Sequence, residues 1–403
     1  MLIQKITLLG HKDHGKSTLL GNLLIATHAV PEERIREARR TSRKLHRRFE
    51  PGFILDAFSE ERKGGLTIDT TRAELAYRGV GFEFIDVPGH EELIKNMLTG
   101  ASNANIAVLV VSAKRGEGIT SQTKRHLFIA KLLGIDRIVV AVNKMDAVGY
   151  SEEAFSKTAA ALSKYLTGIG FDANSFSFVP VSAYRGENLI KKSRNMRWYS
   201  GKAMMDLVYE SSRAKAFSKT ELRILLQGKI EEGKAIGRVV SGVLRKGDNL
   251  VLFPGSQTAK AKEIIVAGKR QASAKKGDSV AIELGKLGKM DISGKIACRY
   301  GESKPIVAGS FSAMLFVTAA LKGSTYIVLN GSKIPTKITD AKAIDIDTGR
   351  TMARAPKPLE AAYATFMLKR KAAFEKFEDF NELGRFTIYC NEKFAGIGTI
   401  AKA

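Results

Sequence analysis

Three things are scarce in this chain, and each scarcity excludes a class of protein. Cysteine comes first: only Cys298 and Cys390 occur in 403 residues, far apart and at no metal-ligand spacing. A disulfide framework and a cysteine metal cluster are therefore excluded, and reduced thiols of a cytosolic protein are expected. Long apolar runs are missing as well. No segment reaches membrane-spanning length, and the opening "MLIQKITLLG" turns polar too soon for a secretory leader. A soluble, cytoplasmic protein without a membrane partner is the expectation. Acidic residues are the third shortage: 41 Asp+Glu face 65 Lys+Arg, for a net charge of +24 and a pI near 9.9. A field of that sign attracts polyanions, RNA or DNA first among them, although a solubility surface or a salt-rich cytoplasm produces the same total.

What is present reads as more than one domain, since 403 residues exceed the size of one ordinary core. In the first half the short β-branched runs "KITLLG", "FEFIDV", "IAVLVVSA", "RIVVAVNK" and "FVPVSA" alternate with segments of helix length. That alternation predicts a mostly parallel sheet covered by helices on both faces. After about residue 215 the long helical stretches stop. Runs such as "ELRILLQGKI", "DNLVLFP" and "SVAIEL" are separated by Gly-Asp, Pro-Gly and Lys-Gly turns, as in β-barrels. The expected architecture is an α/β P-loop domain over 1–215, a small β-barrel over 216–303 and a second over 304–403.

The chemistry concentrates in four stretches. "GHKDHGKST" (10–18) has the spacing Gly10-x4-Gly15-Lys16-Ser17 between a predicted strand and a predicted helix. The two glycines let the backbone curl so that its N–H groups face phosphate oxygens, and the helix dipole adds to the site. Lys16 reaches the β- and γ-phosphates and the Ser17 hydroxyl suits Mg²⁺. Asp13, His14 and Thr18 complete the phosphate set. "DVPGH" (86–90) follows a strand, so Asp86 can hold Mg²⁺ through water while the Gly89 N–H faces the γ-phosphate.

"NKMD" (143–146) also ends a strand. An amide and a carboxylate at that spacing read guanine: Asn143 meets the carbonyl/N7 edge, and Asp146 accepts from N1–H and the exocyclic amine. Adenine offers Asp146 no such donor pair. Lys144 packs over the base, and Ser182 with Ala183, after "FVPV", closes the pocket. Each stretch alone is weak; in this order and on these elements they point to GTP/GDP.

With those residues in view, the chain resembles the translation-factor GTPases, above all the elongation factor one alpha branch with its release- and rescue-factor relatives. "EERKGGLTIDT" (60–70) looks like that family's first switch, "KNMLTGASNANIAVLVVSAKRGE" (95–117) like its sheet signature, and "LGRFTIYCNEKFAGIGTI" (383–400) like its last hairpin. The resemblance implies that Thr67 coordinates Mg²⁺ and that His90 positions the attacking water once a partner orders the site. It implies that Asp13 can hold a monovalent cation. The implied partners are the ribosome, tRNA or a tRNA-mimicking protein, and a nucleotide-exchange factor. A second likeness, carried by "TKRHLFIAKLLGIDRIVVAVNKMDAVGYSEEAF" (123–155), is to the GTPase subunit of bacterial sulfate adenylyltransferase. It implies an adenylyltransferase catalytic subunit as the alternative partner, against which His14 speaks, since that branch usually carries aspartate there.

The departures from the family are equally specific. Lys12 stands where the family usually has a valine that gates the catalytic histidine, with Leu66 as the other wing. Gly64 replaces a switch arginine, and Val240 sits where an acidic residue usually lies near the bound tRNA end. Separately, "EERIREARRTSRKLHRR" (32–48) has helical spacing and a strong basic excess. A solvated face and an RNA-facing arm are both open readings of it. Trp198, in "KKSRNMRWY", is expected to pack on the domain edge.

Overall fold

The structure is a computed structural model that describes residues 3–44, 46, 49–55, 71–86, 106–213, 220–231, 233–285 and 291–402. The chain divides into two compact units, residues 1–214 with 346–349, and residues 215–345 with 350–403.

The first unit is built on six strands: β1 (Ile3–Leu9), β2 (Thr71–Tyr77), β3 (Val80–Asp86), β4 (Ile106–Ser112), β5 (Arg137–Asn143) and β6 (Phe176–Pro180), in the order β2-β3-β1-β4-β5-β6. All neighbours run parallel except β2, which pairs antiparallel with β3 at the sheet edge. β4 is central, and every residue of "IAVLVVS" is buried, as a strand covered on both faces requires. β2 is the strand the apolar runs do not announce. In "TRAELAY" only Ala73 and Leu75 are buried while Arg72 and Glu74 are exposed, the period-2 alternation of a half-solvated edge.

Among the described residues the helices are α1 (Lys16–Ala26), α2 (Glu32–Lys44), α3 (Ser121–Leu132), α4 (Glu152–Gly168) and α5 (Met204–Arg213). α1 sinks Leu19, Leu20, Leu23 and Leu24 into the core. α3 and α4 start on hydroxyl caps: Thr120 accepts from Thr123 N–H at 3.1 Å and Ser151 from Ala154 N–H at 3.2 Å. Trp198 does pack at an edge, donating Nε1–H to the Tyr150 carbonyl at 2.9 Å with its ring 5.4 Å from Phe155. The consequence for function lies in the strand direction. Because β1, β3, β4, β5 and β6 are parallel, their carboxyl ends lie along one edge of the sheet, where ligands bind in open α/β folds.

The described residues of the second unit form strands and turns only. Eight antiparallel strands between residues 223 and 299 form one sheet, and a two-stranded ribbon pairs Val243–Arg245 with Ser273–Lys275. Its two basic turns are alike: Asp248 accepts from Arg245 N–H, and Asp278 from Lys275 N–H, both at 2.8 Å. Among the described residues this sheet ends in two edges, Gln257–Lys260 and Lys269–Gln271, whereas six strands between 306 and 402 close into a barrel. Phe311, Phe366 and Phe386 fill that barrel, with ring centroids 5.0–5.3 Å apart. The sheet and the barrel share a core. Arg223, 1% exposed, pairs through Nε with Glu375 at 2.6 Å, donates to Ser303 Oγ at 2.9 Å and lies 4.8 Å over the Phe380 ring. Val240 is buried in the same core beside Phe253 and Ile296, so at this position the side chain packs into the interior.

Candidate functional site

At the end of β1 the chain turns through a short 3₁₀ segment, Lys12–His14, into α1. Both motif glycines are required by geometry. Gly10 has φ +136, and a Cβ there would run into the Val110 carbonyl oxygen. Gly15 has φ +88, and its Cβ would stand 2.6 Å from the Asn143 side-chain nitrogen. Lys16 curls back over the loop, its Nζ donating to the Gly10 and His11 carbonyls at 3.1 and 3.3 Å. Those bonds hold the ammonium at the loop centre. Ser17 is exposed, Thr18 is half-buried at the start of α1, and Lys12 and Asp13 are exposed, with Asp13 Oδ2 3.5 Å from His11 Nδ1.

His14 is the inward-facing member of the loop, 1% exposed. Its Nε2 lies 2.8 Å from the Glu117 carbonyl and its Nδ1 3.2 Å from that of Val110. Burial lowers its pKa despite these two acceptors, so the ring is neutral at pH 7 and can donate to one carbonyl only. The shorter contact assigns the proton to Nε2.

Asn143, at the end of β5, ties the loops together. Its Nδ2 donates to the His14 carbonyl and its Oδ1 accepts from Ala183 N–H, both at 2.8 Å. One Nδ2 hydrogen is left over, and a base edge can take it. Asp146 accepts from Ser182 Oγ at 2.7 Å through Oδ1, which leaves Oδ2 for a donor pair on a ligand. Lys144, in the left-handed region at φ +63, is held by Glu117 Oε2 at 2.6 Å. Asn22 from α1 donates to the carbonyls of Ala183 and Tyr184, joining the phosphate-side helix to the base side.

Asp86 ends β3. Burial raises its pKa, with Lys16 pulling the other way, and Oδ1 is buried without a hydrogen-bond partner among the described residues. A buried carboxylate oxygen with a spare lone pair beside a hydroxyl-bearing loop suits a hard, oxygen-seeking cation. The structure thus assembles Gly10, Asp13, His14, Gly15, Lys16, Ser17, Thr18, Asp86, Asn143, Lys144, Asp146, Ser182 and Ala183 in one unit. Gly64, Leu66, Thr67, Gly89 and His90 lie outside the described residues.

Residues 1–230 match the model of the elongation factor Tu GTP binding domain. Elongation factor 1-alpha of Ignicoccus hospitalis is 35% identical over 418 residues, covering 98% of this chain and 95% of that protein. The chain belongs to the family of translation-factor GTPases. The elongation factor 1-alpha of Aeropyrum pernix is similar to the same degree, at 34% over 417 residues, again covering 98% of this chain and 95% of its own. Residues 310–401 match the C-terminal domain-like model of the same family. Two solved structures, sup35 complexed with GDP and with GMPPNP, cover 99% of this chain and 94% of their own at 24% identity, with TM-scores of 0.44 and 0.43. At those scores the membership rests on the sequence relatives. As a member of this translation-factor family the chain is a GTP-binding and GTP-hydrolysing factor of the elongation-factor type.

Glu117 is the site residue that motif reading passes over. Its carboxylate accepts from Ser112 Oγ at 2.9 Å, Lys144 Nζ at 2.6 Å and Lys114 Nζ at 3.0 Å. These donors, Lys144 and Lys114 foremost, hold its carboxyl at a pKa of about 2. The "RGE" that carries it has no metal or base-reading pattern. Only the pairing of Ser112 with Asn143 across β4 and β5 brings it against Lys144.

Proposed function

We propose that this chain couples GTP hydrolysis to delivery of a tRNA or a tRNA-shaped protein to the ribosome, with His90 orienting the attacking water. The reading is supported above all by Asn143, which binds the phosphate loop and the 182–183 turn while keeping one donor for a guanine edge. Phosphoryl transfer needs little covalent help from a protein; it needs an in-line water and compensated charge. Backbone N–H groups of the loop and Lys16 hold the β- and γ-phosphates, Asp146 selects guanine, and His90 holds the water. Ser17, Thr67 and, through water, Asp86 would hold Mg²⁺, whose contribution when bound is to neutralise charge on the β- and γ-oxygens. Asp13 is the residue for a monovalent cation, and an exchange factor would restore GTP after turnover. A cytoplasmic setting fits such a role, and no described helix is long and apolar enough to cross a membrane.

The test is multiple-turnover GTP hydrolysis with and without ribosomes. Ribosomes should raise turnover by about 10³-fold or more. His90→Ala should lose at least about 100-fold of that rate while binding GTP within about twofold of the parent, as a group acting on the transition state does. Ribosome-independent turnover would overturn the coupling to the ribosome, and equal loss of binding and rate in His90→Ala would overturn the assignment of His90.

A further inference from the structure

We infer that Glu117 is a positioning residue that sets how long a bound guanine nucleotide stays, by fastening the base-reading loop to the phosphate loop. The inference rests on the guanine-nucleotide reading of this site. Glu117 holds one loop with its main chain and the other with its side chain. Its carbonyl accepts from His14 Nε2 at 2.8 Å, and His14 in turn offers its own carbonyl to Asn143. Its carboxylate takes the Lys144 ammonium at 2.6 Å. Lys144 has a left-handed backbone, φ +63 and ψ 32, which a residue with a Cβ adopts at a cost and keeps only when its surroundings hold it. The Glu117 carboxylate shares that hold with main-chain bonds, Ala147 N–H to the Lys144 carbonyl at 3.0 Å and Met145 N–H to the Val181 carbonyl at 3.2 Å, and Ser112 Oγ and Lys114 Nζ fix the carboxylate in turn. On this inference, a nucleotide bound between the two loops leaves more slowly while this residue joins them.

The experiment is dissociation of a fluorescent GDP analogue, chased with excess GDP, from the full chain and from Glu117→Gln, Lys144→Met and the double variant. Glu117→Gln keeps the shape and the His14 bond and removes the charge. Loss of one charge-assisted bond should speed release about tenfold. Lys144→Met should speed it at least as much, and the double variant should release no faster than Lys144→Met alone, because both changes cut the same link. A general structural weakening would instead add to the Lys144→Met effect. Release from Glu117→Gln at the parent rate, or additive effects in the double variant, would overturn the proposal. Should Glu117→Gln fail to fold, parent-rate release from Lys144→Met would overturn it equally. Failure of the parent itself to hold the analogue would instead sink the nucleotide reading.

Discussion

Asp86 shows how a single residue can oppose folding and still belong in the site. Its carboxyl is pushed up by burial, and Oδ1 lacks a partner among the described residues. A raised carboxyl pKa means that the unfolded chain ionises first, from about pH 3.8 upward. Stability is therefore lost as pH rises from there through the folded-state value. Asp86→Asn should stabilise the nucleotide-free protein at pH 7, because it removes the charge that burial disfavours. The gain should vanish at pH values where the native carboxyl is protonated. The same variant should bind GTP with a weaker dependence on magnesium, since Ser17 and Thr67 remain. Thermal melts across pH, with and without MgCl₂, check both halves. His14 is the contrasting case: its burial is compensated by the Glu117 carbonyl, and the interior ring helps to lock the loop.

Among the elements, legibility followed locality. The phosphate loop and the ends of β3, β5 and β6 could be placed from sequence because each motif spans a few residues on a recognisable strand-to-loop junction. β2 could not, since its Arg72 and Glu74 hide the apolar face of an edge strand. Glu117 could not either, because its meaning arises from the β4–β5 register and not from its neighbours in the chain. α2 occupies "EERIREARRTSRK", and among its residues only Ile35 and Ser42 are buried. Arg34, Arg36, Arg39, Arg40, Arg43 and Lys44 are exposed, a cationic surface suited to phosphate contacts. If α2 faces RNA, replacing Arg39, Arg40 and Arg43 by Gln should flatten the salt slope of RNA binding by about two to three units. An unchanged slope would leave the helix as a solvated face.

For the molecule as a whole, the turn pattern after residue 215 predicted two small β-barrels, and the described residues hold one closed barrel and one eight-stranded sheet. Which of the two sheets closes was beyond local reading, because it depends on which distant edges pair. The buried Arg223–Glu375 ion pair, between residues 152 positions apart, was invisible for the same reason. The net charge of +24 fits a partner covered in phosphate, as the proposed ribosome and tRNA are. GTP should then select the state that engages it, which requires differential affinity between the two nucleotide forms. The most direct test is co-sedimentation with ribosomes in a non-hydrolysable GTP analogue against GDP. The account predicts clear enrichment in the pellet with the analogue; equal sedimentation in the two nucleotides would contradict it.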